Sequence, residues 1–274
     1  MGEINYAPLI DDMVWSYSRI KAFVDCPYRF YLKYIRHIHG KEMFFASYGT
    51  FMHKLIETYF KEGKSPRQLT DIYLRDFKKE VVGRAPNKTV FGNYFTGGLE
   101  YLRGIHPFPY RPAAIEKKVD FKVNGIPFIG YIDFLGELDG SLYVVDNKSR
   151  VLKPRSKREK PTKTDEELDA YLERNKKKNY MKAACMRMIK NYLDRMYDGW
   201  KVYEKDCFNC FRTDTFIEEP FLDRDYEGAK QWLAEMISEI RQESDFKPSC
   251  EFFKCTHLCE MQDECEYYQL MKKR

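Results

Sequence analysis

Three residues near the middle of the chain have the types and spacing that suit a divalent cation with a nucleophilic water: Asp133, Asp146 and Lys148. They lie in FIGYIDFLGELDGSLYVVDNKS, residues 128–149, where two apolar runs flank the turn dipeptide Asp139-Gly140. Both runs are rich in β-branched and aromatic residues, which predicts a β-hairpin. Alternate residues of a strand share a face, so Asp146 and Lys148 point one way and Asn147 the other. Two carboxylates supply hard oxygen ligands, and a lysine can neutralise a phosphate or orient a water. An ordinary hairpin with a surface Asp and Lys fits the same three residues.

The elements that must position them follow from periodicity. WSYSRIKAFVDCPYRFYLKYI repeats apolar residues at helical spacing behind a cap at Ser16 or Ser18. Pro27 interrupts it, so two short helices are expected to meet at Asp25-Cys26-Pro27. A helix from Gly49 to Phe60, ended by Gly63, puts His53 and Glu57 on one face. More amphipathic helix fills 64–106, and the proline-rich HPFPYRP breaks it. From Ala114 the pattern turns to period two, with Asn124-Gly125 as a tight turn. Helical tracts are expected at 166–197 and 226–244, with one strand-like stretch around 200–219. The order predicts a sheet flanked by helices, α/β or α+β. Gly63-Lys64-Ser65 echoes a phosphate loop, but Thr58 occupies the position of its first glycine.

Composition bounds the reading. The 274 residues are 43% hydrophobic and 16% aromatic, which is a folded globule. No apolar run is long enough to cross a bilayer, and MGEINYAPLIDD is no secretory leader, so a soluble cytoplasmic protein with no membrane partner is expected. The net charge of +5 is mild, so attraction to nucleic acid must come from local clusters. Residues 150–178 form one: either a solvated insertion or a basic arm that touches phosphates.

Of eight cysteines, Cys250, Cys255, Cys259 and Cys265 crowd the last 25 residues. In an intracellular chain that points to metal or iron–sulfur ligation before disulfides. The spacing C-x4-C-x3-C-x5-C is looser than that of common zinc modules. Cys207 and Cys210 read as sheet residues, and Cys185 as core.

Taken in order, SRIKAFVDCPYRFY (18–31), GTFMHKLIE (49–57), Gly130-Tyr131-Ile132-Asp133, Asp146-Asn147-Lys148 and the cysteine tail resemble a RecB/AddB-type nuclease of the PD-(D/E)XK superfamily, in its iron–sulfur branch. The resemblance spans about residues 16–268. It implies a single restriction-endonuclease-like domain over 1–274: a central mixed sheet flanked by helices, with a C-terminal cysteine segment. Within it, a helical part (16–110), a catalytic sheet core (114–220, carrying the 150–178 insertion) and a C-terminal helix with the cysteines (226–274) are expected. His53, Asp133 and Asp146 would bind catalytic Mg²⁺ or Mn²⁺, with the Asn147 carbonyl as a further ligand and Lys148 as the active-site lysine. The histidine tilts the site towards Mn²⁺. Glu57 and Glu116 are candidates to stand behind the ligands, and a surface position fits Glu116 equally.

The same resemblance implies a structural [4Fe–4S] cluster held by Cys26, Cys255, Cys259 and Cys265. Two departures stand out. The tail is C-x3-C-x5-C rather than C-x2-C-x5-C, with an additional Cys250, so a zinc site of Cys250, Cys255, Cys259 and Cys265 stays open. The Q-x3-Y motif expected on the helix after the lysine strand aligns with Ala183 and Arg187, leaving Tyr180 or Lys182 as substitutes. The implied activity is exonucleolytic hydrolysis of DNA, on single strands or ends, in recombination, repair or phage or CRISPR DNA processing with a helicase or similar partner. A non-catalytic DNA-binding or assembly subunit of the same fold is the alternative.

Overall fold

The computed structural model describes residues 5–150, 189–196 and 202–273. The basic segment beyond Arg150, the Q-x3-Y positions and Cys185 lie outside them.

The N-terminal part is helical. Helix α1 (Ala7–Asp11) precedes α2 (Tyr17–Asp25), where the Ser16 hydroxyl accepts from the Arg19 N–H. Cys26 is extended and Pro27 opens α3 (Pro27–Phe30), so the break falls where proline dictates; a π-helical turn, Tyr31–Ile35, follows. Helix α4 (Phe44–Glu62) starts earlier than expected because Phe44, Ser47 and Tyr48 are buried and packing extends it. It stops at Gly63, which takes φ 66° as a left-handed C-terminal residue. Helix α5 (Pro66–Glu80) opens with a reciprocal Ser65–Gln68 capping box, and α6 (Lys88–Gly104) with an Asn87 cap.

Strands β1 (Arg111–Val123), β2 (Ile126–Leu138) and β3 (Ser141–Lys148) form an antiparallel meander. Asn124-Gly125 and Asp139-Gly140 make its two turns, all four residues at positive φ, as expected from their types. Pro112 is tolerated in β1 because β1 is an edge strand. After α7 (Lys190–Met196) come β4 (Val202–Cys210), parallel to β3, and β5 (Thr215–Pro220), antiparallel to β4. The single strand expected around 200–219 is therefore a pair. A polar turn through Asp214, at φ 47°, separates the two strands. Helices α8 (Asp223–Gln242), α9 (Phe252–His257) and α10 (Glu266–Lys272) end the chain.

The result is a mixed five-stranded sheet, ordered β1-β2-β3-β4-β5 and flanked by helices, the expected α/β arrangement. Alternation along the strands sends side chains to separate cores. Leu142, Val144 and Phe208 pack with Trp15, Phe23 and Phe30 from the N-terminal segment and Trp232 and Leu233 from α8. Val145 and Cys207 go the other way, beside Phe134 and Tyr110. Helices α4, α5 and α6 share an aromatic core of Tyr48, Phe51, Tyr73, Phe77 and Tyr101 that reaches Phe211 at the end of β4.

Candidate active site and cysteine cavity

The two turns of the meander decide which side chains meet. Counting from Val123↔Ile126 sets Glu116 opposite Asp133, between the rungs Ile115↔Phe134 and Lys117↔Ile132. Counting from Leu138↔Ser141 sets Asp133 opposite Asp146, next to Phe134↔Val145. Three acids thus stand in a row across three strands. Glu116 has φ 48° in mid-strand, a conformation rare for a non-glycine residue and typical of functional sites.

Helix α4 adds His53. Its Nδ1 lies 3.6 Å from Asp133 Oδ2 and 3.7 Å from Glu116 Oε1, and its Nε2 lies 3.1 Å from the Asn147 carbonyl oxygen. With a proton on Nε2, the ring donates to that carbonyl and presents Nδ1 to the acids. The Asn147 N–H donates to Asp133 Oδ2 at 2.7 Å. The Asn147 side chain is buried and accepts from Asn209 Nδ2 at 2.8 Å, which also donates to the Tyr101 hydroxyl at 2.8 Å. Asn147 therefore points away from Asp146 and Lys148, as strand alternation requires.

The charges are crowded and part-buried, Asp133 most of all. Burial and the neighbouring Asp146 push the Asp133 carboxyl up to about 7, against the pull of His53, Asn147 and Lys148. Burial lowers His53, but its bond to Glu116 and the charges of Asp133 and Asp146 outweigh that and raise it overall. Asp146 Oδ2 is buried, and the Lys148 ammonium lies against it as its ion-pair partner.

These residues suit a divalent cation. Ligand atoms of His53, Glu116 and Asp133 all lie within 4.8 Å of one another, and Asp146 stands next to Asp133 in the same row. A ring whose second nitrogen faces a backbone carbonyl is also how metal-bound histidines are commonly oriented. The Asn147 carbonyl, expected as a ligand, is engaged here by the histidine. Glu57 lies apart from this group: it accepts from Lys61 at 2.7 Å one turn further along α4. Glu116, expected behind the ligands or at the surface, stands within reach of His53, and the two-residue turn fixes its register.

A second cluster lies at the chain ends. Cys26, Cys250, Cys255, Cys259 and Cys265 line one cavity of about 100 Å³, and all five are free thiols. One water needs roughly 10–15 Å³ of such space, so the cavity has room for a group of several atoms. Burial pushes the Cys259 thiol up to about 11, and burial with the neighbouring thiols raises Cys255 and Cys265. Glu260, between the ligand candidates, pairs with Arg29 at 2.7 Å and Lys33 at 2.6 Å. Lys41 reaches Asp263 at 2.9 Å. Cys207 and Cys210 are buried strand residues, as expected.

The model of the PD-(D/E)XK nuclease superfamily matches residues 14–266, and the chain belongs to that superfamily. Among solved structures it resembles a candidate exonuclease from Eubacterium rectale, with 10% identity, 98% of this chain and 92% of that chain covered, and a TM-score of 0.47. No curated protein sequence matches it. Among the described residues, no helix is long and apolar enough to cross a membrane.

Proposed function

We propose that the chain is a metal-dependent DNA nuclease of the RecB/AddB type, acting as an exonuclease on single strands or ends. The observation that carries this reading is the row of Glu116, Asp133 and Asp146 beneath His53, with Lys148 against the last acid. His53, Glu116, Asp133 and Asp146 would hold Mg²⁺ or Mn²⁺, which supplies charge neutralisation and an acidified water. The acids' shared burial makes them poor neighbours without a cation. Lys148 is held at the site by Asp146, where its ammonium can face a phosphate oxygen and offset the charge that grows as water attacks phosphorus. Asn147 keeps Asp133 and His53 in place. Hydrolysis breaks one P–O bond, and the departing oxygen takes up a proton.

The cysteine cavity is read as the seat of a [4Fe–4S] cluster with a structural role. Its size and its five thiols support this over a single zinc ion, whose four thiolates sit about 2.3 Å from the metal.

Purified protein with Mn²⁺ or Mg²⁺ should release nucleotides from DNA, and Asp146→Ala or Lys148→Ala should abolish that release. Equal release by wild type and both variants would sink the enzymatic reading. DNA binding without any release would favour a non-catalytic subunit.

A further inference from the structure

A cubane cluster takes four thiolates, yet five cysteines line its cavity. Three of them, Cys255, Cys259 and Cys265, come from one short C-terminal stretch. The other two differ in how they are held. Cys26 is fixed at the α2–α3 joint: its N–H donates to the Ala22 carbonyl at 3.0 Å and its own carbonyl accepts from the Phe30 N–H at 3.2 Å. Cys250 is exposed, in the loop between α8 and α9, with its backbone at φ 48°. Both line the same cavity as the tail sulfurs, one from the N-terminal helices and one from the α8–α9 loop.

We propose that Cys250 is a reserve ligand: the cluster rests on Cys255, Cys259 and Cys265, and its fourth position is held by Cys26 and can pass to Cys250. This rests on the cluster reading above. In such an exchange, Cys26 would give up its place on iron and Cys250 would take it. The Cys250 thiol gives up its proton as it binds, the freed Cys26 thiolate takes one, and no electron moves. The consequence is mechanical. With Cys26 bound, the cluster cross-links the N-terminal helices to the tail. With Cys250 bound, all four ligands belong to the tail, and that covalent tie to α2 and α3 is released while the cluster survives.

The test uses the full chain prepared anaerobically as wild type, Cys26→Ser, Cys250→Ser and the double variant. Iron per chain, visible charge-transfer absorption and hydrogen exchange are measured. Wild type and both single variants should retain a full complement of iron, and the double variant should lose it. Cys26→Ser should also exchange faster across residues 17–35, whereas Cys250→Ser should not. Cys26→Ala is made alongside, and iron is read from whichever variant keeps the wild-type circular dichroism. An iron-loaded wild type with a folded but colourless Cys26 variant would overturn the reserve role alone. So would a colourless Cys250→Ser, or a double variant that keeps its iron. Wild type carrying zinc or no metal would overturn the cluster reading itself.

Discussion

Asn147 is the residue on which the candidate active site turns. Its N–H holds Asp133, its carbonyl faces His53, and its buried amide is anchored by Asn209, itself bonded to Tyr101. Such outer partners are commonly worth 10–100-fold in metal affinity. Asn209→Ala should therefore weaken Mn²⁺ binding by roughly that range in titration calorimetry, with Tyr101→Phe, which keeps the Asn147–Asn209 bond, losing less. Unchanged affinity in a folded Asn209→Ala chain would mean that Asn147 needs no anchor. Asp133 gives a pH signature. Its carboxyl is raised from 3.8 to about 7, so between those values the folded state holds the extra proton. The contribution of this group to stability is thus present at low pH and lost as pH rises towards 7. Metal-free protein should lose melting temperature over that window, Asp133→Asn should flatten the loss, and the gain on adding Mn²⁺ should be larger at pH 8 than at pH 5. Much of this site was legible beforehand. Asp133, Asp146 and Lys148 announce themselves by type and spacing, and the turns fix the register. The Asn147–Asn209–Tyr101 chain was not legible, because a buried asparagine has no local signature and its partners lie on another strand and a distant helix.

The elements were read best where a single residue enforces the geometry. Pro27, Gly63, Asn124-Gly125 and Asp139-Gly140 each act through backbone sterics, and each boundary falls where expected. Where packing decides, the pattern misled: burial of Phe44 and Tyr48 lengthens α4, and the turn at Asp214 splits one apparent strand in two. The resemblance already brings Cys26 to the tail cysteines, but the salt bridges that join the N-terminal helices to the tail were hidden, since they link charges far apart in sequence. Glu260 is half-buried there between Arg29 and Lys33. A backbone close approach accompanies it, for a Cβ at Gly40 would lie 2.7 Å from the Glu260 carbonyl oxygen. Glu260→Ala leaves the Arg29 guanidinium without its close partner and should cost about 2 kcal/mol, less than a fully buried pair because both groups keep some water. Melting should fall by about 5 °C, a drop readable by calorimetry. Glu260→Gln, which keeps a hydrogen-bond acceptor, should recover part of it.

At the scale of the whole molecule, the cysteine cavity and the sheet do separate jobs. The register that brings Asp133, Asp146 and Lys148 together is set by the sheet's own turns. The N-terminal segment, by contrast, leans on the sheet through few backbone bonds: Trp15 N–H to the Pro127 carbonyl and Ile129 N–H to the Trp15 carbonyl, each 2.8 Å. A group binding Cys26 together with the tail would close most of the chain into one loop. By the loop-entropy relation for cross-links, a closure of that length is worth on the order of 5 kcal/mol. If that group is the proposed cluster, stripping it should lower the melting temperature by roughly 10–15 °C at this chain length. The loss should also be uneven, because local stability follows local contacts. Hydrogen exchange should accelerate across 17–35 and 250–272, while amides of β2 and β3 stay protected. Stripped protein that is still folded should cleave DNA at close to the intact rate when assayed well below its melting point. If cleavage and β3 protection vanish together with the iron, the cluster supports the sheet itself and not merely the closure of the ends.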